Sequence, residues 1–228
     1  MRHYPVFLDL GQARCLLAGL GGVGRRKLAT LLECAPAEVL VLDPGLPAPV
    51  PEEIATLLTH PAVIFERRVA TDADIEGRLL VIAATADRAA NARLAAVCRT
   101  RNVLCNVVDD PTAGNFLVPA TATVGDLTVA ISTAGASPAL ARALRQDLQD
   151  YLGLRYESLL TAMARLRPLV LALGQTTERN TETFRGLVES PLAAALANKD
   201  RAQAQAILTS LLPDALHPRI NEVLHGLV

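Results

Sequence analysis

Cys15-Leu16-Leu17-Ala18-Gly19-Leu20-Gly21-Gly22-Val23-Gly24 is the stretch that decides the fold. Its first four residues are apolar and read as a buried strand. Gly19-x-Gly21-x-x-Gly24 follows without a gap, and Gly22 to Cys34 reads as a helix with Leu28, Leu31 and Leu32 on one face. Strand, glycine turn and helix in that order form a dinucleotide-binding fingerprint. The glycines let the backbone turn sharply and approach a pyrophosphate, and the helix N-terminus offers free N–H groups and a partial positive charge. Gly19, Gly21, Gly22, Val23 and Gly24 are therefore the expected pyrophosphate contacts.

Working outward, Val39 to Leu42 is a second strand, fully apolar as a central parallel strand should be. It ends at Asp43, 19 residues after Gly24. An acidic side chain there accepts hydrogen bonds from the adenosine ribose and repels a 2′-phosphate, which favours NAD over NADP. Asp43-Pro44 as the opening of a turn is the lesser reading, and both residues are placed beside the cofactor. Pro51 to His60 reads as a helix, Val63 to Phe65 as a weaker strand, Leu79 to Ala84 as a strong one, Asp87 to Arg101 as a helix and Val103 to Val108 as a fifth strand. Such alternation predicts a Rossmann-like α/β domain, a parallel sheet covered on both faces. Asp87 reads first as a helix cap. Thr85, in the same loop, leaves the cofactor edge of the sheet and is an expected cofactor contact.

The pattern changes after the fifth strand. Phe116 to Thr123 and Leu127 to Thr133 are β-prone runs separated by Val124-Gly125-Asp126, which predicts a hairpin. Ser137-Pro138 then pairs a good N-cap with a residue favoured at the first helical position. Leu140, Leu144, Leu148 and Leu152 recur every four residues and give that helix one apolar face. From about residue 155 the chain is rich in Leu and Ala and helical in character. The expected organisation is an NAD-binding domain over 1–112, a hairpin and helix region over 113–150, and a helical domain over 151–228.

Bulk properties exclude several classes. With 228 residues, 51% of them hydrophobic, the chain can bury a sizeable core. Its 22 Lys and Arg against 23 Asp and Glu give a net charge of −1, which leaves no electrostatic footprint for nucleic acid. No uncharged apolar run is long enough for a membrane span, and residues 1–10 lack the pattern of a signal peptide. Cys15, Cys34, Cys98 and Cys105 form no Cys-x-x-Cys pair and no cluster with the four histidines, so no metal site is expected and a reducing cytoplasm is the simplest setting.

Asn106-Val107-Val108-Asp109-Asp110-Pro111 closes the fifth strand. Ligands of open α/β sheets bind outside the carboxyl ends of the strands, so Asp109 stands on the edge where a nicotinamide lies. Hydride removal from carbon leaves a proton to be lost, and a carboxylate there is a candidate general base. Asp-Asp-Pro reads equally as a turn. Arg25, Arg26 and Lys27 oppose the helix dipole, which an anionic ligand nearby would explain. Arg142 and Arg145 lie one helical turn apart and read either as contacts for an acidic substrate or as a solvated face.

These residues together resemble a known family. The carriers are Tyr4 to Leu10, the glycine turn with Arg26-Lys27, Val81 to Thr85, and Asn106 to Pro111. They continue through Asn115-Phe116, Pro119-Ala120, Ala130 to Thr133, Gly135 and Ser137 to Arg142, in order over the first 150 residues or so. The chain resembles precorrin-2 dehydrogenase, the NAD-dependent module of sirohaem synthases. The resemblance implies oxidation of the tetrapyrrole precorrin-2 to sirohydrochlorin with NAD⁺ as hydride acceptor, in an intertwined homodimer that meets over residues 113–150. It places the family's essential aspartate on Asp109 and substrate contacts on Asn115, Thr133, Ser137 and Arg142. Some members also insert Fe²⁺, with the same aspartate implicated. A protein that binds NAD and tetrapyrrole without catalysis is the alternative outside enzymology. The sequence departs from the family pattern at Leu20, Gly24, Gly114, Ala134 and Ala136.

Overall fold

A computed structural model describes residues 3–228. The chain divides into two compact units, one ending at Val118 and the other running from Pro119 to Val228.

The first unit is built on β1 (Arg14–Ala18), β2 (Glu38–Leu42), β3 (Val63–Glu66), β4 (Leu80–Ala83) and β5 (Leu104–Val107). All neighbouring pairs are parallel, in the order β3-β2-β1-β4-β5. Three helices connect them: α1 (Gly22–Glu33), α2 (Glu52–Leu58) and α3 (Arg88–Thr100). The expected elements are all present, with ends shifted by one or two residues. Strand alternation sorts the apolar side chains onto two faces. Leu16, Leu40, Val81 and Cys105 join Leu94 and Cys98 of α3 on one face. Cys15, Leu17, Val39, Val41 and Ile82 join Leu28 and Leu31 of α1 and Ile54 of α2 on the other. Burying one such leucine stabilises the fold by about 1.5–3 kcal/mol. Strand order reverses at β1, whose neighbours are β2 and β4, and open α/β sheets bind ligands outside the carboxyl ends of the strands at such a switch point.

After β5 the chain doubles back along that strand. Asn115 donates its backbone N–H to Cys105 O at 2.9 Å and accepts the Cys105 N–H on Oδ1 at 2.7 Å. Asn106 Nδ2 reaches Phe116 O at 3.3 Å. These bonds tie residues 115 and 116 to the sheet, so the division falls after Val118 and not at the expected 112/113, and Phe116 to Pro119 are not strand.

The second unit holds an antiparallel hairpin, β6 (Ala120–Val124) and β7 (Leu127–Ile131), turned at Gly125 with φ +53°. Helix α4 (Pro138–Leu171) follows, then α5 (Thr177–Glu189), α6 (Leu192–Ala197), α7 (Arg201–Leu211) and α8 (Ile220–Leu224). Ser137 caps α4 by accepting the Leu140 N–H, with Pro138 at the first position, as the sequence predicts. The expected boundary at 150/151 lies inside α4, which is one continuous helix. Its C-terminal half contributes Leu159, Ala162, Leu166 and Val170 to a core shared with Leu187, Leu196, Leu208 and Val223. The leucines of its N-terminal half are less covered. Leu140 and Leu144 are exposed, and Leu148 and Leu152 only half-buried. The apolar stripe is there, but this chain alone does not cover it.

Candidate functional site

The glycine turn follows β1 at the carboxyl edge of the sheet. Gly19 has φ +92°, and a Cβ on it would lie 2.4 Å from Ala84 O, so no other residue fits there without backbone movement. Gly24 is packed as tightly: its Cβ would stand 2.0 Å from Gly19 O. These two glycines seat the start of α1 against β1 and β4. Gly21 and Gly22 have open space where a Cβ would be. They are exposed, and Gly21 caps α1 with no side-chain bond to the helix. The first intrahelical bond is Arg25 N–H to Gly21 O at 2.9 Å, so the N–H groups of Gly22, Val23 and Gly24 precede the ladder.

Asp43 stands opposite, at the end of β2. Its Oδ2 accepts the Leu20 N–H at 2.6 Å and its Oδ1 the Gly45 N–H at 2.7 Å. The carboxylate thus braces the glycine turn and opens its own turn. Each oxygen keeps a free lone pair for a hydroxyl donor. A cavity of about 260 Å³ lies between, lined by Leu20, Gly21, Gly22, Arg25, Asp43 and Ile54 among others. Gly45, Leu46 and Pro47 complete the wall, while Pro44 beside them is exposed and does not line it. Arg25 faces this cavity and is ion-paired to Glu53. Burial, with Arg26 beside it, holds Lys27 below the usual lysine range. Exposed N–H groups, a carboxylate and an apolar wall fit the adenosine and pyrophosphate of a dinucleotide. A larger cavity of about 500 Å³ in the second unit is lined by Arg167, Asn180, Phe184 and Arg185 among others, and by none of the expected site residues.

Further along the same edge, Asp109 follows β5. Its side chain is 30% exposed and pairs with Arg88 Nε at 3.4 Å. Asp110 alone does the turn work: it accepts from Thr112 N, Thr112 Oγ1 and Ala113 N at 3.0, 2.6 and 3.3 Å. Those bonds, the Thr112 hydroxyl first, hold Asp110 below the usual carboxylate range. Asp109 takes no part in that turn, and its Oδ2 faces Arg88. Asp87 caps α3 by accepting from Ala89 and Ala90. Thr85 lies half-buried at the end of β4, and its N–H stands 2.7 Å from where a Cβ on Gly19 would be. Asn91, which the sequence reading passed over, connects Thr85 to Asp109: Nδ2 donates to Asp109 Oδ1 at 3.1 Å and to Thr85 O at 3.0 Å. The glycine turn, Asp43, Thr85 and Asp109 therefore share one edge of one sheet.

Among the expected substrate contacts, Asn115 differs. Its Nδ2 donates to Val103 O at 2.9 Å and its Oδ1 is taken by Cys105, so both polar atoms serve the open edge of β5. Thr133, Ser137 and Arg142 belong to the second unit. Thr133 Oγ1 accepts the Ser137 N–H at 3.2 Å, Ser137 caps α4, and Arg142 is exposed on it.

A family described as "Putative NAD(P)-binding" matches residues 6–120, half of the chain. The chain belongs to this NAD(P)-binding family. Residues 124–151 of this family member also match "Sirohaem biosynthesis protein central". Curated relatives include siroheme synthases of Thioalkalivibrio sulfidiphilus, 34% identical over 96% of the chain and 44% of that protein, and of Methylococcus capsulatus, 36% over 89% and 42%. The siroheme synthase of Salmonella typhi is 33% identical over 99% of the chain and 49% of its own length. The chain thus spans just under half the length of these relatives. Among solved structures, "SirC, precorrin-2 dehydrogenase" superposes with a TM-score of 0.76 at 23% identity, covering 92% of this chain and 98% of that one. This likeness shows that the two-unit fold is shared.

Proposed function

We propose that this NAD(P)-binding protein oxidises precorrin-2 to sirohydrochlorin, with NAD⁺ as hydride acceptor and Asp109 as general base. The observation that carries this reading is the shared edge: a dinucleotide cradle at the ends of β1 and β2 and the Asp109 carboxylate after β5 stand at the carboxyl ends of strands of one parallel sheet. The siroheme synthase relatives and the SirC precorrin-2 dehydrogenase supply the substrate class.

NAD⁺, when bound, takes a hydride from a ring carbon of the tetrapyrrole. The N–H groups of Gly22, Val23 and Gly24 would hold its pyrophosphate, and Asp43 its adenosine ribose. Asp43 also favours NAD over NADP, because a 2′-phosphate would sit against its carboxylate. Loss of a hydride leaves the substrate one proton in excess. The Asp109 carboxylate accepts that proton, with Arg88 beside it at 3.4 Å. Two hydrogens leave precorrin-2, one as hydride and one as proton, and NADH and sirohydrochlorin result.

A homodimer is part of the proposal. The stripe of Leu140 and Leu144, 51% and 39% exposed, continues into exposed Tyr151 and Leu154 and fits a second copy of the chain. Thr133, Ser137 and Arg142 would contact the substrate from this region, and the setting would be cytoplasmic. The same carboxylate would take pyrrole N–H protons if Fe²⁺ were a further substrate. Anaerobic incubation with precorrin-2 and NAD⁺, followed by Fe²⁺ addition, tests all of this in one series. NADH appearance supports dehydrogenation, and an iron-dependent spectral change adds chelation. Binding of both ligands without reaction would refute the enzymatic reading.

A further inference from the structure

Asn91 and Asn106 are the buried polar side chains among the described residues. Asn91 lies on the inner face of α3 with 1% exposure, beside Leu94, Ala95 and Cys98. Its amide has two donor hydrogens and an oxygen with two lone pairs, and every one is used. Nδ2 donates to Asp109 Oδ1 and to Thr85 O; Oδ1 accepts from Thr85 N–H at 3.2 Å and from Thr85 Oγ1 at 2.7 Å. The partners fix which way the amide points. Thr85 N–H can only donate, and Thr85 O and the Asp109 carboxylate can only accept, so the flipped amide would face donor to donor and oxygen to oxygen. Helix α3 is itself pinned, since Asp87 caps it and the Asn91 N–H bonds Asp87 O at 3.0 Å. A buried, orientation-locked amide on a rigid helix thus spans from the β4 loop, against the glycine turn, to the carboxylate that ends β5.

We propose that Asn91 is a positioning residue: it aims the Asp109 carboxylate and sets its distance from the cofactor loop at Thr85. The inference deepens the dehydrogenase reading and rests on it for its catalytic meaning. Three bonds hold the amide to Thr85 and one holds Asp109 to the amide, so the Asp109 Oδ1 is anchored, while Oδ2, whose neighbour is the exposed Arg88 guanidinium at 3.4 Å, is the oxygen that takes the proton. The charged groups around Asp109 are few. Arg88 approaches from α3 at 3.4 Å, Asp110 turns away to Thr112 and Ala113, and Asp87 is engaged at the helix cap.

Asn91→Asp tests this. The variant keeps shape and keeps an oxygen for the two Thr85 donors, but it puts a second carboxylate oxygen where Nδ2 meets Asp109. Two carboxylates at hydrogen-bond distance cannot both ionise freely, so one proton is held at least about tenfold more tightly. Carbon-13 NMR of the Asp carboxyls in the cofactor-free protein, with Asp109→Asn for assignment, reads this directly. The expected result is a two-step titration of the pair, absent from the wild-type spectrum. With NAD⁺ and precorrin-2, kcat should fall on the order of a hundredfold, while the Kd for NAD⁺ changes less than about threefold. Unchanged Asp109 titration, or equal losses in kcat and NAD⁺ affinity, would reduce Asn91 to a packing role and overturn the proposal. Thr85→Val, which removes the hydroxyl's bond to Asn91 together with its bonds to the Asp87 backbone and leaves the Thr85 N–H and O bonds to Asn91 in place, serves if Asn91→Asp does not fold. It should shift the Asp109 carboxyl resonance, and an unmoved resonance overturns the proposal equally. An inactive wild type would sink the dehydrogenase reading and leave the titration result standing, so the two failures are distinct.

Discussion

Replacing Asp109 by alanine separates chemistry from stability, and the structure sets both magnitudes. The Asp109 side chain has two partners. One is Arg88 at 3.4 Å, whose side chain is 86% exposed, and such a pair contributes between zero and about 1 kcal/mol. The other is Asn91 Nδ2 at 3.1 Å. Losing that bond leaves one buried N–H hydrogen without an acceptor while the other stays on Thr85 O, at a cost of about 1–2 kcal/mol. The total, about 2 kcal/mol, lowers the Tm of a chain this size by roughly 4–8 °C. A protein stable by about 5 kcal/mol or more stays almost wholly folded after that loss at room temperature. Removing a general base slows turnover by about 10²–10⁴-fold, which is roughly 2.7–5.5 kcal/mol of barrier. The assay pairs a thermal melt with initial rates of NADH formation at saturating NAD⁺ and precorrin-2. A small drop in Tm with a large drop in kcat is expected. Turnover within threefold of wild type in a folded Asp109→Ala would refute the base assignment and the mechanism built on it.

Other consequences follow from named contacts. Asp43→Asn keeps one backbone acceptor but faces an amide N–H against the second donor, Leu20 or Gly45; NAD⁺ affinity should fall at least about tenfold, with the preference over NADP⁺ narrowed, both read by fluorescence titration. Asp74 sits well below the usual carboxylate range, chiefly through the Arg68 guanidinium hydrogen-bonded to it. Its stabilisation is therefore complete above about pH 4, the unfolded carboxylate's value, and drains away as pH falls below it. Urea titrations from about pH 5 to pH 2 should show that acid loss, and Asp74→Asn should flatten it. Leu144→Glu places a charge in the exposed α4 stripe; light scattering should give a dimer for wild type and a monomer for the variant, and a monomeric wild type would remove the dimer from the account.

The first unit was legible because its rules are local. Short, almost wholly apolar runs of three to six residues that alternate with amphipathic stretches leave few alternatives to parallel strands. Asp43 and Asp109 were legible for the same reason: each is the first acidic residue past a strand end. What the sequence withheld depends on which surface meets which. Asn91 carried one signal, a lone amide among Ala89, Ala90, Leu94 and Ala95, and only the fold shows that it meets both Thr85 and Asp109. Asn115 was read as a substrate contact, yet its side chain closes the edge of β5, a role set by a chain reversal that leaves no periodic trace. The leucine spacing from Leu140 correctly gives a helix with an apolar stripe, but periodicity cannot say whether that stripe is covered from within the chain or by another one.

The central claim is that a hydride and a proton leave one substrate at this sheet edge. The most direct measurement is the stoichiometry of NADH to sirohydrochlorin formed by wild-type protein from precorrin-2 under anaerobic conditions. The account predicts equimolar products, NAD⁺ dependence, and loss of both products together in Asp109→Ala. Sirohydrochlorin appearing at the same rate without NAD⁺, or no reaction with both ligands demonstrably bound, would contradict it.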